Sequence, residues 1–132
     1  MNLLLDTHTL IWCTLDTGKL SNAARTSITD LKNDAHVSVV SFFEISLKYS
    51  IGRLELKGLL PEDFPKLSME MGFSILELSA ETVSTFHKLP KAGNKDPFDR
   101  LIAWEAIKSG MSLVTCDKDF GAYGKSGLRT LW

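Results

Sequence analysis

The chain lacks most of what would take it out of an ordinary aqueous compartment. No apolar run approaches the ~20 residues needed to cross a bilayer. The opening Met1-Asn2-Leu3-Leu4-Leu5-Asp6 has no basic segment and meets an acid too early for a signal peptide. No membrane association is expected, and a cytoplasmic location is. Cysteine is scarce: Cys13 and Cys116 lie far apart at no metal-binding spacing, so both read as small buried thiols in a reducing compartment. Neither sign of charge is in excess. With 15 Lys and Arg against 16 Asp and Glu the net charge is −1, which argues against a passive nucleic-acid-binding module. It does not argue against an enzyme that recruits its own cations. Internal repeats, low-complexity tracts and linker-like shifts in composition are also absent, so residues 1–132 read as one domain.

What is present is the composition of a folded protein, 44% hydrophobic and 23% charged. Asn2–Leu5 reads as a short buried strand ending at Asp6, followed by a helix over Thr7–Leu15 and a second, capped by Ser21, over Asn22–Leu31. The β-branched run His36–Val40 predicts a second strand. Ser41 then opens a helix over Phe42–Ile51, with Ser41-x-x-Glu44 in the form of a capping box. Pro61–Met71 reads as helix, Phe73–Leu78 as strand, and Ala80–Lys88 as a helix capped by Ser79. Asp96 has the character of an N-cap and Pro97 of a first helical residue, beginning a largely apolar helix that Gly110 stops. Ser112–Thr115 and Leu128–Leu131 complete the strands, with a turn or short helix near Lys118–Tyr123 between them. Strands alternating with helices predict an α/β fold with a mainly parallel sheet.

The acids follow this pattern. Asp6 follows the first strand, Glu44 lies a helical turn beyond the second, and Asp117 follows Ser112–Thr115. In a parallel sheet all three fall at the carboxyl edge, and Asp99, in the first turn of its helix, can point there. Each acid has an ordinary explanation: Asp6 and Asp96 as caps, Glu44 as the capping-box partner, Asp117 as a turn acid. Those explanations do not predict that acids from distant parts of the chain should crowd one edge. Clustered carboxylates need protons or cations to neutralise them, and oxygen-only donors select hard cations, Mg²⁺ or Mn²⁺. Such a site suits phosphodiester hydrolysis.

Four segments carry a resemblance in order and spacing: Leu3-Leu4-Leu5-Asp6-Thr7-His8, Ser41-Phe42-Phe43-Glu44, Asp96-Pro97-Phe98-Asp99-Arg100-Leu101-Ile102-Ala103 and Val114-Thr115-Cys116-Asp117-Lys118-Asp119-Phe120. Together they resemble the PIN domain, and more narrowly the VapC-type toxins of prokaryotic toxin–antitoxin pairs. The resemblance implies a three-layer α/β/α sandwich around a central, mainly parallel five-stranded sheet. It implies an Mg²⁺- or Mn²⁺-dependent endoribonuclease restrained by a cognate antitoxin, with homodimers common. By position it implies Asp6, Glu44, Asp99 and Asp117 as catalytic acids. Asp6 and Asp99 would hold the principal metal, with Asp117 on it or on a second one. Glu44 would complete the shell through water or position the attacking water. Thr7, Thr115 and Asp119 would be accessory, and Asp96 belongs to a variant of the third motif. Cleavage would leave 5′-phosphate and 3′-hydroxyl ends.

Lys48, Lys88, Lys91, Lys95 and Arg100 are the bases nearest the acids in sequence; they read equally as solvated loop charges or as groups that attract RNA phosphate, Arg100 above all because Asp99 is its neighbour. His8 and His87 read as structural, and Trp12 and Trp104 as core. Phe42–Leu60 is richer in apolar residues than one buried helix face requires; most of these residues read as plain core, and with the helix before it the surplus could leave a groove for an antitoxin helix. An aspartate-based phosphatase would need an acid where His8 stands, and a receiver-type domain an acid after the third strand, where Glu77-Leu78-Ser79 lies. The remaining alternative is a PIN-like scaffold that binds RNA or protein without cutting.

Overall fold

A computed structural model describes residues 1–132. Its strands are β1 (Asn2–Leu5), β2 (Asp34–Ser38), β3 (Ser74–Leu76), β4 (Ser112–Val114) and β5 (Arg129–Leu131). They form one five-stranded sheet in the order β3-β2-β1-β4-β5, and every pairing is parallel. The helices are α1 (Thr7–Leu15), α2 (Asn22–Thr29), α3 (Val39–Ser50), α4 (Phe64–Glu70), α5 (Ala80–Ser84) and α6 (Pro97–Ser109). The last crossover, Lys118–Ser126, is a 3₁₀ segment.

The alternation of side chains along β1 builds the layers. Leu3 and Leu5 pack on one face with Leu10 of α1, Ala24 of α2, Ile45 of α3 and Phe64 of α4. Leu4 packs on the other with Ile102, Ala103 and Trp104 of α6 and with Phe120 and Tyr123. Covered on both sides, β1 reads as an unbroken apolar run, as central parallel strands do. Its three leucines are fully buried, and each burial contributes about 1.5–3 kcal/mol. The result is the expected three-layer α/β/α sandwich.

The boundary between β2 and α3 differs from the sequence reading. The strand stops at Ser38, whose hydroxyl accepts from the Val40 amide at 3.0 Å and caps a helix that starts at Val39. Ser41 therefore lies inside the helix and does not cap it, and no Ser41–Glu44 capping box forms. Two serines three residues apart offered two starts, and the β-branched Val39 and Val40 favoured the wrong one. In the first turn such residues have little preceding helix to crowd. Glu44 is thereby released from capping and faces the site.

At α6 the sequence reading holds. Asp96 caps through Oδ1, accepting from the Phe98 amide at 2.8 Å, with Pro97 as the first helical residue. Gly110 ends the helix in the left-handed conformation (φ 67°).

Candidate functional site

Register alone places the first residues. Leu5 pairs with Val37 on one side and Val114 on the other, so one step further Asp6 stands between Ser38 and Thr115 at the carboxyl edge. Asp6 is 3% exposed. Its Oδ1 accepts from the Thr9 amide at 2.7 Å, capping α1, and its Oδ2 accepts from the Thr115 hydroxyl. The Thr115 oxygen in turn accepts from the Asp117 amide at 3.1 Å, so one hydroxyl ties two acids from different strands. Burial pushes the Asp6 carboxyl above its usual range, against the lowering effect of Thr115 and Thr9.

Glu44, 1% exposed, comes in from α3. Its Oε1 accepts from the Thr7 hydroxyl at 2.6 Å, and Thr7 Oγ1 also lies 3.0 Å from Ser41 Oγ. Its Oε2 is paired with the Lys48 ammonium, one turn along the same helix. Lys48 Nζ stands 3.8 Å from Asp96 Oδ2 as well. Burial pulls the Lys48 ammonium down, but the hydrogen bond and charge of Glu44, followed by Asp96 and Asp99, leave it raised and charged.

Asp96 and Asp99 come from the first turn of α6. Carboxylate oxygens of Glu44, Asp96 and Asp99 all lie within 4.8 Å of one another. Asp99 is half-buried, and its carboxyl is pushed up to about 6 by burial and then by the charges of Asp96 and Glu44. Asp6 adds to the rise and Asn94 opposes it. Asp117, at the end of β4, caps the following 3₁₀ turn, its Oδ1 accepting from the Asp119 amide at 2.9 Å. Asp119 itself is exposed.

Asn94 is the residue that sequence reasoning missed. Its Nδ2 lies 3.3 Å from Asp99 Oδ2 and 3.4 Å from Asp117 Oδ2, so the amide donates weakly to both acids. Its Oδ1 is buried without a partner. The loop is placed from behind: Tyr123 hydroxyl donates to the Asn94 carbonyl at 3.2 Å, and Gly93 has φ 63°. A Cβ on Gly93 would come within 2.5 Å of the Asp119 carbonyl oxygen. A glycine directly before an asparagine, just ahead of the acid pair, was the available signal.

Arg100 holds this loop. Its Nη1 donates to the Pro90 carbonyl at 3.2 Å and the Tyr123 hydroxyl at 3.0 Å, and its Nη2 to the Leu89 carbonyl at 3.2 Å. The guanidinium also lies over the rings of Phe86 and Tyr123. Successive helical residues point about 100° apart, so a neighbour of Asp99 in sequence faces a different direction. Lys91 and Lys95 are exposed and, with Gly93, Asn94 and Arg100, line a pocket of about 340 Å³ beside the acids. A larger cavity, about 700 Å³, lies at the amino ends of β2 and β3, lined by Asp34, Ala35 and Ser74, at the edge opposite the acids.

His8 and His87 are exposed, and His8 stacks against Trp12. Trp104 is buried, its indole donating to the Thr82 carbonyl at 3.0 Å, and Trp12 packs on Trp132. Cys13 is half-buried, its thiol pushed up to about 11 by burial. Cys116 is exposed, not the buried thiol the sequence suggests, and its thiol is raised by partial desolvation and then by the charge of Asp6. Neither thiol belongs to the group of acids whose donor atoms converge, so the donors gathered there are oxygens.

Fold and edge together define a parallel α/β sandwich whose carboxyl edge gathers acids from β1, α3, α6 and the end of β4. The chain belongs to the PIN domain family, whose model matches residues 3–126. Over 129 residues it is 27% identical to Ribonuclease VapC22 of Mycobacterium tuberculosis, covering 98% of this chain and 97% of that protein. Among solved structures it is similar to VapBC2 from Rickettsia felis bound to a DNA fragment from their promoter, with a TM-score of 0.69, 18% identity and coverage of 100% and 99%. It is also similar to DNA-bound VapBC from Salmonella typhimurium, with a TM-score of 0.66, 17% identity and coverage of 99% and 97%. At those identities the structural likeness establishes the fold. No helix is long and apolar enough to cross a membrane.

Proposed function

We propose that this protein is a divalent-metal-dependent endoribonuclease and the toxin of a toxin–antitoxin pair. The observation that carries the reading is the convergence of Asp6, Glu44, Asp99 and Asp117 on one sheet edge in a PIN domain. Membership of the family, the ribonuclease relative and the VapBC neighbours support the activity and the antitoxin partner.

The residues fit Mg²⁺ or Mn²⁺. Their donors are all oxygens, the carboxyl of Asp99 is raised first by burial and then by the charges of Asp96 and Glu44, and Asn94 keeps a buried acceptor unpartnered. Asp6, Asp99 and Asp117 would hold the cation. Once bound, it supplies activation of water and polarisation of the phosphate. The chain's own residues do the rest. Thr115 fixes the orientation of Asp6, as an outer hydrogen bond fixes a metal ligand, and couples it to Asp117. Glu44, held by Thr7 and Lys48, orients water on the α3 side. Lys91 and Lys95 attract RNA phosphate toward the edge. Arg100 serves the loop that carries Asn94, a different part from the phosphate contact its position suggested.

The antitoxin would cover apolar side chains that α3 and the following segment leave exposed, Phe43, Leu47, Ile51 and Leu60 among them. Homodimerisation belongs to the same reading. The test is incubation of purified protein with labelled RNA in Mn²⁺ or in chelator, with mapping of the cut ends. Metal-dependent cuts leaving 5′-phosphates support the reading. Chelator-insensitive RNA binding without cleavage would replace it with a non-catalytic PIN-like binder.

A further inference from the structure

The acids of the edge fall into two sets that share Asp99. One is Glu44, Asp96 and Asp99, with oxygens within 4.8 Å of one another. The other is Asp6, Asp99 and Asp117, joined by Thr115 and Asn94. Only the Glu44, Asp96 and Asp99 oxygens already lie within 4.8 Å of one another; the second set offers the same all-oxygen chemistry, so the edge carries donors for two hard cations. The sets differ in what already neutralises them. Lys48 reaches into the first set from α3, paired with Glu44 Oε2 and 3.8 Å from Asp96 Oδ2. Glu44 has its second oxygen bonded by Thr7, so both of its oxygens have protein partners. The other set contains no side-chain cation: Asp99 and Asp117 are bridged only by the long contacts of the neutral Asn94 amide.

We propose that Lys48 is the resident cation of the Glu44–Asp96 half, so that the edge binds one divalent cation, at Asp6, Asp99 and Asp117, and Lys48 excludes a second. This rests on the metal-dependent reading above. A divalent ion in the first set would coordinate at about 2.0–2.1 Å the carboxylate that the ammonium already occupies. Two cations would then share Glu44 at close range in a half-buried site, where their repulsion is poorly screened. The ammonium is fixed in the chain and has no comparable dehydration barrier, so it holds the place. Lys48 is thus a positioning residue: it sets Glu44 and limits metal count, without touching the reacting phosphate.

The experiment counts Mn²⁺ bound to purified full-length protein by calorimetric titration and by the electron paramagnetic resonance signal of free Mn²⁺. Wild type is expected to bind one ion per chain. Lys48→Met is expected to bind two, and Lys48→Arg, which keeps the charge, one. Two ions on wild type, or one on folded Lys48→Met, overturns the proposal while leaving a metal-dependent nuclease intact. No ion on wild type overturns the metal reading itself and this proposal with it. If Lys48→Met does not fold in metal-free buffer, its circular dichroism is recovered with Mn²⁺ and the ions are counted on the refolded chain, two per chain supporting the proposal and one overturning it. Failure to recover the circular dichroism counts against the proposal.

Discussion

Glu105→Gln should make the protein more stable at neutral and alkaline pH, and the gain should vanish in acid. Glu105 is 2% exposed in the apolar middle of α6, where it accepts from the Ser38 hydroxyl. Burial pushes its carboxyl up from 4.5 to about 7, against the lowering effect of that hydrogen bond. The folded state therefore holds this proton more tightly than the unfolded chain. Stability from this group is fully present below pH 4.5 and is lost as pH rises through about 7. A difference of roughly 2.5 units corresponds to about 3 kcal/mol, the largest effect the group can exert. Glutamine copies the protonated form and keeps the acceptor that Ser38 needs. Urea unfolding of both proteins at pH 5, 6, 7 and 8 isolates the effect, because Asp6 and Asp99, also raised, are common to both. The difference should be small at pH 5 and approach about 3 kcal/mol in favour of the variant at pH 8. Parallel pH profiles, or a variant less stable at pH 8, would show that the folded state does not hold the Glu105 proton more tightly than the unfolded chain. The Ser38–Glu105 bond also joins the start of α3 to the body of α6, the helices that carry Glu44 and Asp99.

Thr115→Val removes the hydroxyl that links Asp6 and Asp117, and should lower Mn²⁺ affinity about 10- to 100-fold by titration, with an unchanged far-ultraviolet spectrum. Gly93→Ala would force a Cβ against the Asp119 carbonyl at 2.5 Å and disfavour the positive φ. Urea unfolding should show a loss of about 1–3 kcal/mol. Arg100→Gln should destabilise the 86–94 loop, read as earlier proteolytic cleavage there. A variant that weakens RNA binding with unchanged protease resistance would restore Arg100 to phosphate contact.

Much of the fold was legible because local signals agreed. The apolar run of β1, the Asp96-Pro97 start of α6 and the Gly110 stop each have one physical reading, and the structure adopts it. The β2–α3 junction was ambiguous because Ser38 and Ser41 can both cap and the valines between them favour strand. For the site, strand-end positions brought Asp6 and Asp117 to one edge, which sequence order and a parallel sheet suffice to predict. Side-chain direction was harder. Asp96 was readable as a cap, but its second oxygen also faces Lys48 and the Glu44–Asp99 pair, which depends on how α3 packs on α6. Lys48 stood four residues from Glu44, a spacing that predicts pairing. As a base one turn from a proposed site acid it reads equally as a phosphate contact, and the structure shows the pairing. Asn94 sits in a loop whose path is set by Arg100 and Tyr123 from other segments, so no local pattern announces it.

On the proposed function, the acidic edge cuts RNA through a bound divalent cation. The most direct measurement is cleavage of labelled RNA by wild type and Asp99→Asn, each in Mn²⁺ and in chelator, with folding checked by circular dichroism. Wild type should cleave in Mn²⁺ alone, and the folded variant in neither condition. Undiminished cleavage by Asp99→Asn, or by wild type in chelator, would contradict the proposed function.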